Sequence, residues 1–166
     1  MAGSKRKALA GKLTGVQYGA LPWRLRGDEV QIMLVTSRRT RRWIIPKGWP
    51  MDGIKPAIAA AREAKEEAGV SGEVAETPVG IYRYMKVLRN GAEMPCRVEV
   101  FALKVTKEAH DWDEMDARER RWCSVHDAAA AVVEPQLKVI IRRFGTRMAG
   151  QARRKKSEAD HGSNPA

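Results

Sequence analysis

Residues 48–70 read GWPMDGIKPAIAAAREAKEEAGV, and this stretch decides how the rest of the chain is arranged. Pro56 stands where a helix opens, because the first turn has no use for the missing N–H. Six alanines from Ala57 to Ala68 favour the helical state, and Gly69 is the residue type that closes it. Ala57, Ala61, Ala64 and Ala68 recur at three- and four-residue steps, which predicts a narrow face able to sit close against a sheet. Glu63, Glu66 and Glu67 stand at i, i+3 and i+4, so their carboxylates leave one side of the helix. Like charges so placed repel by roughly a few tenths of a kcal/mol per pair on an isolated helix. A hard divalent cation such as Mg²⁺ or Mn²⁺ turns that cost into a set of oxygen ligands, and it pairs naturally with substrate phosphates. E-x-x-E-E alone also describes a solvated acidic face, so the surroundings must decide between the two.

Outward from the helix, the order of elements is mixed. Before it, VQYGALPWRL and VQIMLVTS are strand-like runs joined at Arg26-Gly27-Asp28-Glu29, where Gly27-Asp28 makes a hairpin turn. The short run Trp43-Ile44-Ile45 stops at Pro46, and the glycine- and proline-rich loop KGWPMDGIK leads into the helix. After it, residues 74–106 carry further strands around a turn at Asn90-Gly91. The run from Cys96 is apolar on both alternating faces, as a central strand covered on both sides would be. Residues 119–124 suggest a last strand and 126–133 a short helix. Pro135 begins a final helix striped with Leu137, Ile140, Ile141 and Phe144. Strands around a central helix, with helices again at the end, predict an α/β fold in which helices sandwich a mixed sheet. The expected domain organisation is a disordered basic N-terminus over 1–14, one domain over 15–149, and a polar basic tail over 150–166.

The net charge is +11, and its location matters more than its size. Residues 1–12 carry four basic side chains without an acid, and residues 142–156 carry seven, again without an acid. The stretch between, 13–141, has 20 basic and 18 acidic residues. Basicity is therefore a property of the ends, which implies at most weak, non-specific attraction to polyanions. No apolar run is long enough to span a membrane, and no apolar segment follows the basic N-terminus as in a secretory signal. Cys96 and Cys123 form no C-x-x-C pair and suit two thiols in a reducing cytoplasm better than a disulfide. The five tryptophans read mainly as core anchors, and the three histidines lack ligand spacing.

The pattern Gly48, Arg62, Glu63, Glu66, Glu67, Gly69 and Val70, with Ala64 in an apolar slot, resembles the Nudix box. One position departs: Ile54 stands where the box has a glutamate, and Asp52 is the nearest acid able to replace it. The resemblance implies a Nudix-like α/β/α sandwich that hydrolyses a phosphoanhydride with Mg²⁺ or Mn²⁺. It implies that Glu63, Glu66 and Glu67 hold the metal, joined by the backbone carbonyl of Lys47, and that Arg62 orients the first of them. Glu66 or Glu67 would accept the proton of the attacking water, and the residues alone do not choose between them.

Trp43-Ile44-Ile45-Pro46, the box, and Asp111-Trp112-Asp113-Glu114 ahead of Glu119-Arg120-Arg121-Trp122 look like the diphosphoinositol polyphosphate phosphohydrolases. Those enzymes also act on dinucleoside polyphosphates. Lys47, where they usually have glycine, is a departure that bears on the substrate. Arg38, Arg39, Arg41, Arg42 and Lys47 lie just ahead of the box, and arginine forks bind phosphate bidentately. A small, highly phosphorylated substrate is the expected partner. The alternatives are a nucleoside-diphosphate-sugar hydrolase such as an ADP-ribose pyrophosphatase, or a non-catalytic nucleic-acid or regulatory binding module on the same scaffold.

Overall fold

The computed structural model describes residues 14–162. Two long strands, β1 (Gly15–Arg26) and β2 (Glu29–Thr36), form the expected hairpin and are followed by the short strands β3 (Trp43–Ile44) and β4 (Lys47–Gly48). Helix α1 (Pro56–Ala68) then precedes β5 (Val70–Val74), β6 (Gly80–Val87), β7 (Glu93–Glu108) and β8 (Arg120–Ser124). Helices α2 (Val125–Ala131) and α3 (Pro135–Gly162) end the described chain. The main path through the sheet runs β3-β2-β1-β7-β5, with β4 on β1, β6 on β7 and β8 on β2. The β1–β7 pair is parallel and the other pairs are antiparallel, so the sheet is mixed as expected. The polar stretch from 150 onward continues α3 as helix to Gly162. The N-terminal residues expected to be disordered lie, apart from Thr14, outside the described residues.

Period-two alternation divides the core in two. Ala20, Met33, Val35, Phe101 and Leu103 point to one face, where they meet the alanines of α1. Leu21, Ile32, Leu34, Val98 and Val100 point to the other, where α2 and α3 cover them with Ala128, Leu137, Ile141 and Phe144. The fold is thus an α/β/α sandwich. The buried row of α1 is Ala57, Ala60, Ala64 and Ala68; Ala61, expected on it, is only partly buried and turns toward the helix flank. None of the five tryptophans is a core residue. Each carries a cation over its ring: Arg120 over Trp112 at 3.8 Å, Arg24 over Trp122 at 4.1 Å, Arg121 over Trp43 at 4.5 Å, with Lys104 over Trp23 and Lys86 over Trp49 both at 5.7 Å. In a chain this rich in arginine, a half-buried indole gains a cation on one face while keeping its apolar body covered.

Candidate active site

The C-terminal half of α1 is fixed from outside the helix. Gly69 adopts the left-handed conformation (φ 66°) and its N–H reaches back to the carbonyls of Ala64 and Lys65, as a helix-ending glycine should. The next four carbonyls are all satisfied by the segment 109–120. Glu114 N–H donates to Glu66 O (3.1 Å), Trp112 Nε1 to Glu67 O (3.1 Å), Arg120 Nη1 to Ala68 O (2.9 Å) and Ala109 N–H to Gly69 O (2.8 Å). Groups that a free helix end would leave to water are therefore bonded to protein. The turn of helix that carries Glu66 and Glu67 is held in one place.

Glu67 is 5% exposed. Its Oε2 accepts from the backbone N–H of Lys47 at 3.3 Å, and its Oε1 faces Arg118 Nη2 at 3.3 Å. Burial pushes the Glu67 carboxyl up to about 7, outweighing the opposing pull of Arg118 and Lys47. Burial likewise raises the half-buried Glu63, helped by the charges of Glu66 and Glu114. A Cβ on Gly48 would overlap the Glu63 carboxylate, so this glycine leaves room for that side chain against β4. Glu66 is exposed on the flank of the helix. Among the described residues the acidic side chains do not close into a ready-made cation cage. Their chemistry nonetheless fits a hard dication, because Glu63 beside Gly48 and Glu67 beside Lys47 are carboxylates whose charged form burial disfavours, a cost that a bound cation offsets.

Beside Glu67 opens a cavity of about 630 Å³. Arg38, Arg39 and Arg42 reach it from the β2–β3 loop, Lys47 from β4, Lys86 and Arg89 from β6 and the turn after it, and Arg118 from below. Glu67 is the one acidic residue among its lining side chains. Arg42 is held by Glu134 at 2.9 Å, and Arg38 by Glu114 at 3.6 Å. The Lys47 ammonium lies 5.0 Å over the Tyr84 ring, and burial brings it down to about 8.

Four of the five expected phosphate-binding residues, Arg38, Arg39, Arg42 and Lys47, thus line one cavity. Arg41 does not. Its backbone is left-handed (φ 55°) and its side chain turns to Glu119 (3.6 Å) and the carbonyl of Ala117 (3.2 Å). Arg62 lies on the opposite flank of α1, in a surface depression with Glu66, Asp111, Trp112 and Asp113, and forms no ion pair among the described residues. Asp52 is exposed and bonds neither to Arg62 nor to any other described residue.

The arginine that does hold a carboxylate of α1 is Arg118, which sequence reading passed over. Its side chain is only 10% exposed and binds Glu67, Glu114 Oε1 (3.3 Å, through Nε) and the carbonyl of Thr36 (3.0 Å). The quoted stretches 111–114 and 119–122 flank Arg118 without including it, so position between them is the one signal the sequence offered.

A mixed sheet thus lies between helices, and Glu67 of the acidic helix opens on a cavity whose other charged lining residues are all basic. A family model for the NUDIX domain matches residues 17–144, and the chain belongs to that family. Nudix hydrolase 12, mitochondrial, of Arabidopsis thaliana is 35% identical over 126 residues, which are 66% of this chain and 62% of that protein. Diphosphoinositol polyphosphate phosphohydrolase 3-alpha of Mus musculus is 35% identical over 105 residues, 62% of this chain and 59% of that protein. The chain spans about three fifths of the length of these curated relatives. Among solved structures, a C. elegans Ap4A hydrolase binary complex matches with TM-score 0.62 and 20% identity, covering 82% of this chain and 99% of that one. A NUDIX hydrolase from Nitrosomonas europaea matches with TM-score 0.63 and 20% identity, covering 82% of this chain and 91% of that one. Those two likenesses speak for the fold. Metal dependence is general in the Nudix family, and no helix among the described residues is long and apolar enough to cross a membrane.

Proposed function

We propose that this chain hydrolyses a phosphoanhydride in a compact, highly phosphorylated molecule, a diphosphoinositol polyphosphate before a dinucleoside polyphosphate. The observation that carries this reading is the cavity itself. Seven cationic side chains on opposed walls converge beside the buried Glu67, with a single acid among the lining residues. A ligand with phosphates on several sides uses all of those cations, whereas a nucleotide sugar leaves many of them unpaired at a cost. Arg38, Arg39, Arg42 and Lys47 grip non-bridging phosphate oxygens, and Lys86 and Arg89 meet phosphates across the cavity. The relative from Mus musculus, named for diphosphoinositol polyphosphates, supports the same direction.

Glu63, Glu66 and Glu67, with the Lys47 carbonyl, would hold Mg²⁺ or Mn²⁺. When bound, such an ion neutralises charge on the phosphates and makes the attacking water more acidic. Glu66 or Glu67 takes the water's proton, the water oxygen attacks phosphorus, and the bridging P–O bond breaks to release a phosphorylated leaving group. Arg118 keeps the Glu67 carboxylate turned toward the cavity; the orienting role expected of Arg62 is proposed for it instead. The cytoplasmic expectation likewise stands as a proposal, since the Arabidopsis relative is named as mitochondrial. Phosphate release from a panel of diphosphoinositol polyphosphates, dinucleoside polyphosphates and nucleotide sugars, with and without Mg²⁺, tests the reading. Metal-dependent release that is fastest from the first group supports it. Preference for ADP-ribose would favour the nucleotide-sugar hydrolase, and inertness on the whole panel would favour a binding module.

A further inference from the structure

Helix α3 carries a second concentration of positive charge, separate from the cavity. Arg142, Arg143, Arg147, Arg153 and Arg154 are all exposed. At 3.6 residues per turn they fall within one sector of about 140° and extend along about 18 Å of helix. The opposite side of α3, with Leu137, Ile140, Ile141, Phe144 and Met148, is buried against the sheet. Residues 142–154 contain no acid, and none of these five guanidinium groups forms an ion pair among the described residues. Farther along, Lys156 Nζ meets Asp28 of the β1–β2 turn at 3.2 Å in an exposed pair. The helix under Arg142, Arg143 and Arg147 is thus backed by the core, while Arg153 and Arg154 stand on its exposed continuation.

We propose that this face of α3 is a docking surface for a nucleic-acid duplex, contacted along its phosphate backbone without reading the bases. The charge is complementary to a duplex, whose phosphates offer a dense line of negative charge along a rod. All five groups are arginines, whose planar forks suit phosphate oxygens better than a point charge does. No exposed aromatic ring lies between 142 and 154 to stack an unpaired base, so the surface lacks what single-strand binders use. A membrane surface fits less well. A helix that lies in a bilayer interface inserts its apolar side, and the apolar side of α3 is spent on the core. The surface does not depend on the hydrolase reading.

The test uses the full chain, a fluorescein-labelled DNA duplex of about 20 base pairs, and anisotropy titrations from about 50 to 200 mM salt. A variant with all five arginines changed to glutamine is compared with the wild type. The expected result is at least about tenfold weaker binding by the variant and a log–log salt slope shallower by about three or more. Its circular dichroism and its phosphoanhydride hydrolysis should stay unchanged. Equal affinity and equal slope in the two proteins would overturn the proposal, since the binding would then reside elsewhere. Tighter binding of the matching single strand would overturn it too, as would binding to phosphatidylserine vesicles but not to the duplex. Should the five-fold variant fail to fold, Arg153→Gln with Arg154→Gln, on the exposed last turns, must still weaken duplex binding by about threefold.

Discussion

The arginines around the cavity and the arginines along α3 carry the same charge but live in different surroundings. Arg38, Arg42 and Arg118 each face a carboxylate, Glu114, Glu134 and Glu67 respectively. The five on α3 face none among the described residues. A paired guanidinium loses rotamer freedom in advance and presents its remaining N–H groups in a fixed direction, so less ordering is left for the ligand to impose. An unpaired, exposed one acts through its long-range field, which salt screens within about 8–10 Å at physiological strength. The difference separates a site built for geometry from a surface suited to charge alone.

The largest effect should come from the carboxylate at the centre of the paired region. Glu67→Gln should lower kcat by about a hundredfold or more, as expected for losing a metal ligand or base. Circular dichroism should show the fold retained, and near-wild-type turnover would remove Glu67 from the site. Next comes its partner. Arg118→Gln should reduce kcat by about tenfold, equivalent to about 1.4 kcal/mol, and raise KM as well, since Arg118 also lines the cavity. Arg118→Lys should recover part of that loss, and Mn²⁺ affinity by titration calorimetry should weaken in Arg118→Gln. A lower melting temperature with kcat and Mn²⁺ affinity intact would make Arg118 a structural residue only.

The phosphate grip should respond in proportion to substrate charge. Replacing Arg38 and Arg42 by glutamine should raise KM about tenfold or more for a diphosphoinositol polyphosphate and less for ADP-ribose, each lost charge-assisted contact being worth about 1.5–3 kcal/mol. Arg41→Gln is the internal control and should do little, because that side chain points to Glu119. Equal KM effects on both substrates would favour the nucleotide sugar. The smallest effect belongs to the unpaired region. Deleting residues 151–166 should change hydrolysis by less than about twofold, since none of the described ones, 151–162, lines the cavity. A larger loss in a protein that still folds would make the end of α3 part of the site and erase the distinction between the two groups.

How much of this was legible beforehand depends on the distance over which each feature is encoded. The extent of α1 and its glycine stop follow from neighbours within two turns, and both were readable; that Glu67 faces the cavity while Glu66 lies in the depression with Arg62 was not. The β1–β2 hairpin and the double-sided burial of β7 were readable too, because alternation is a local pattern. Where reading failed, the deciding contact was remote or directional. Ala60 rather than Ala61 is buried because the crossing of α1 over the sheet, not helical spacing, chooses the row. Arg41 leaves the cavity because its own backbone turns left-handed within the tight loop Ser37–Arg42.

What the sequence by itself determined, then, is the acidic helix, the mixed order of strands and helices, and the family pattern those carry. Each rests on propensity, periodicity or spacing within a single element, where geometry is nearly independent of the rest of the chain. The tertiary structure alone decided which arginine pairs with Glu67. Arg62 is the immediate neighbour of Glu63 in the chain, yet it leaves the helix on another flank. Arg118 is 51 residues from Glu67 and reaches it for two reasons. The register of β8 on β2 places Arg120 opposite Val35, and the segment before β8 binds the last carbonyls of α1. Neither cause is local. A buried carboxylate must find a partner that the whole fold delivers, and on a helix adjacent residues diverge by about 100°.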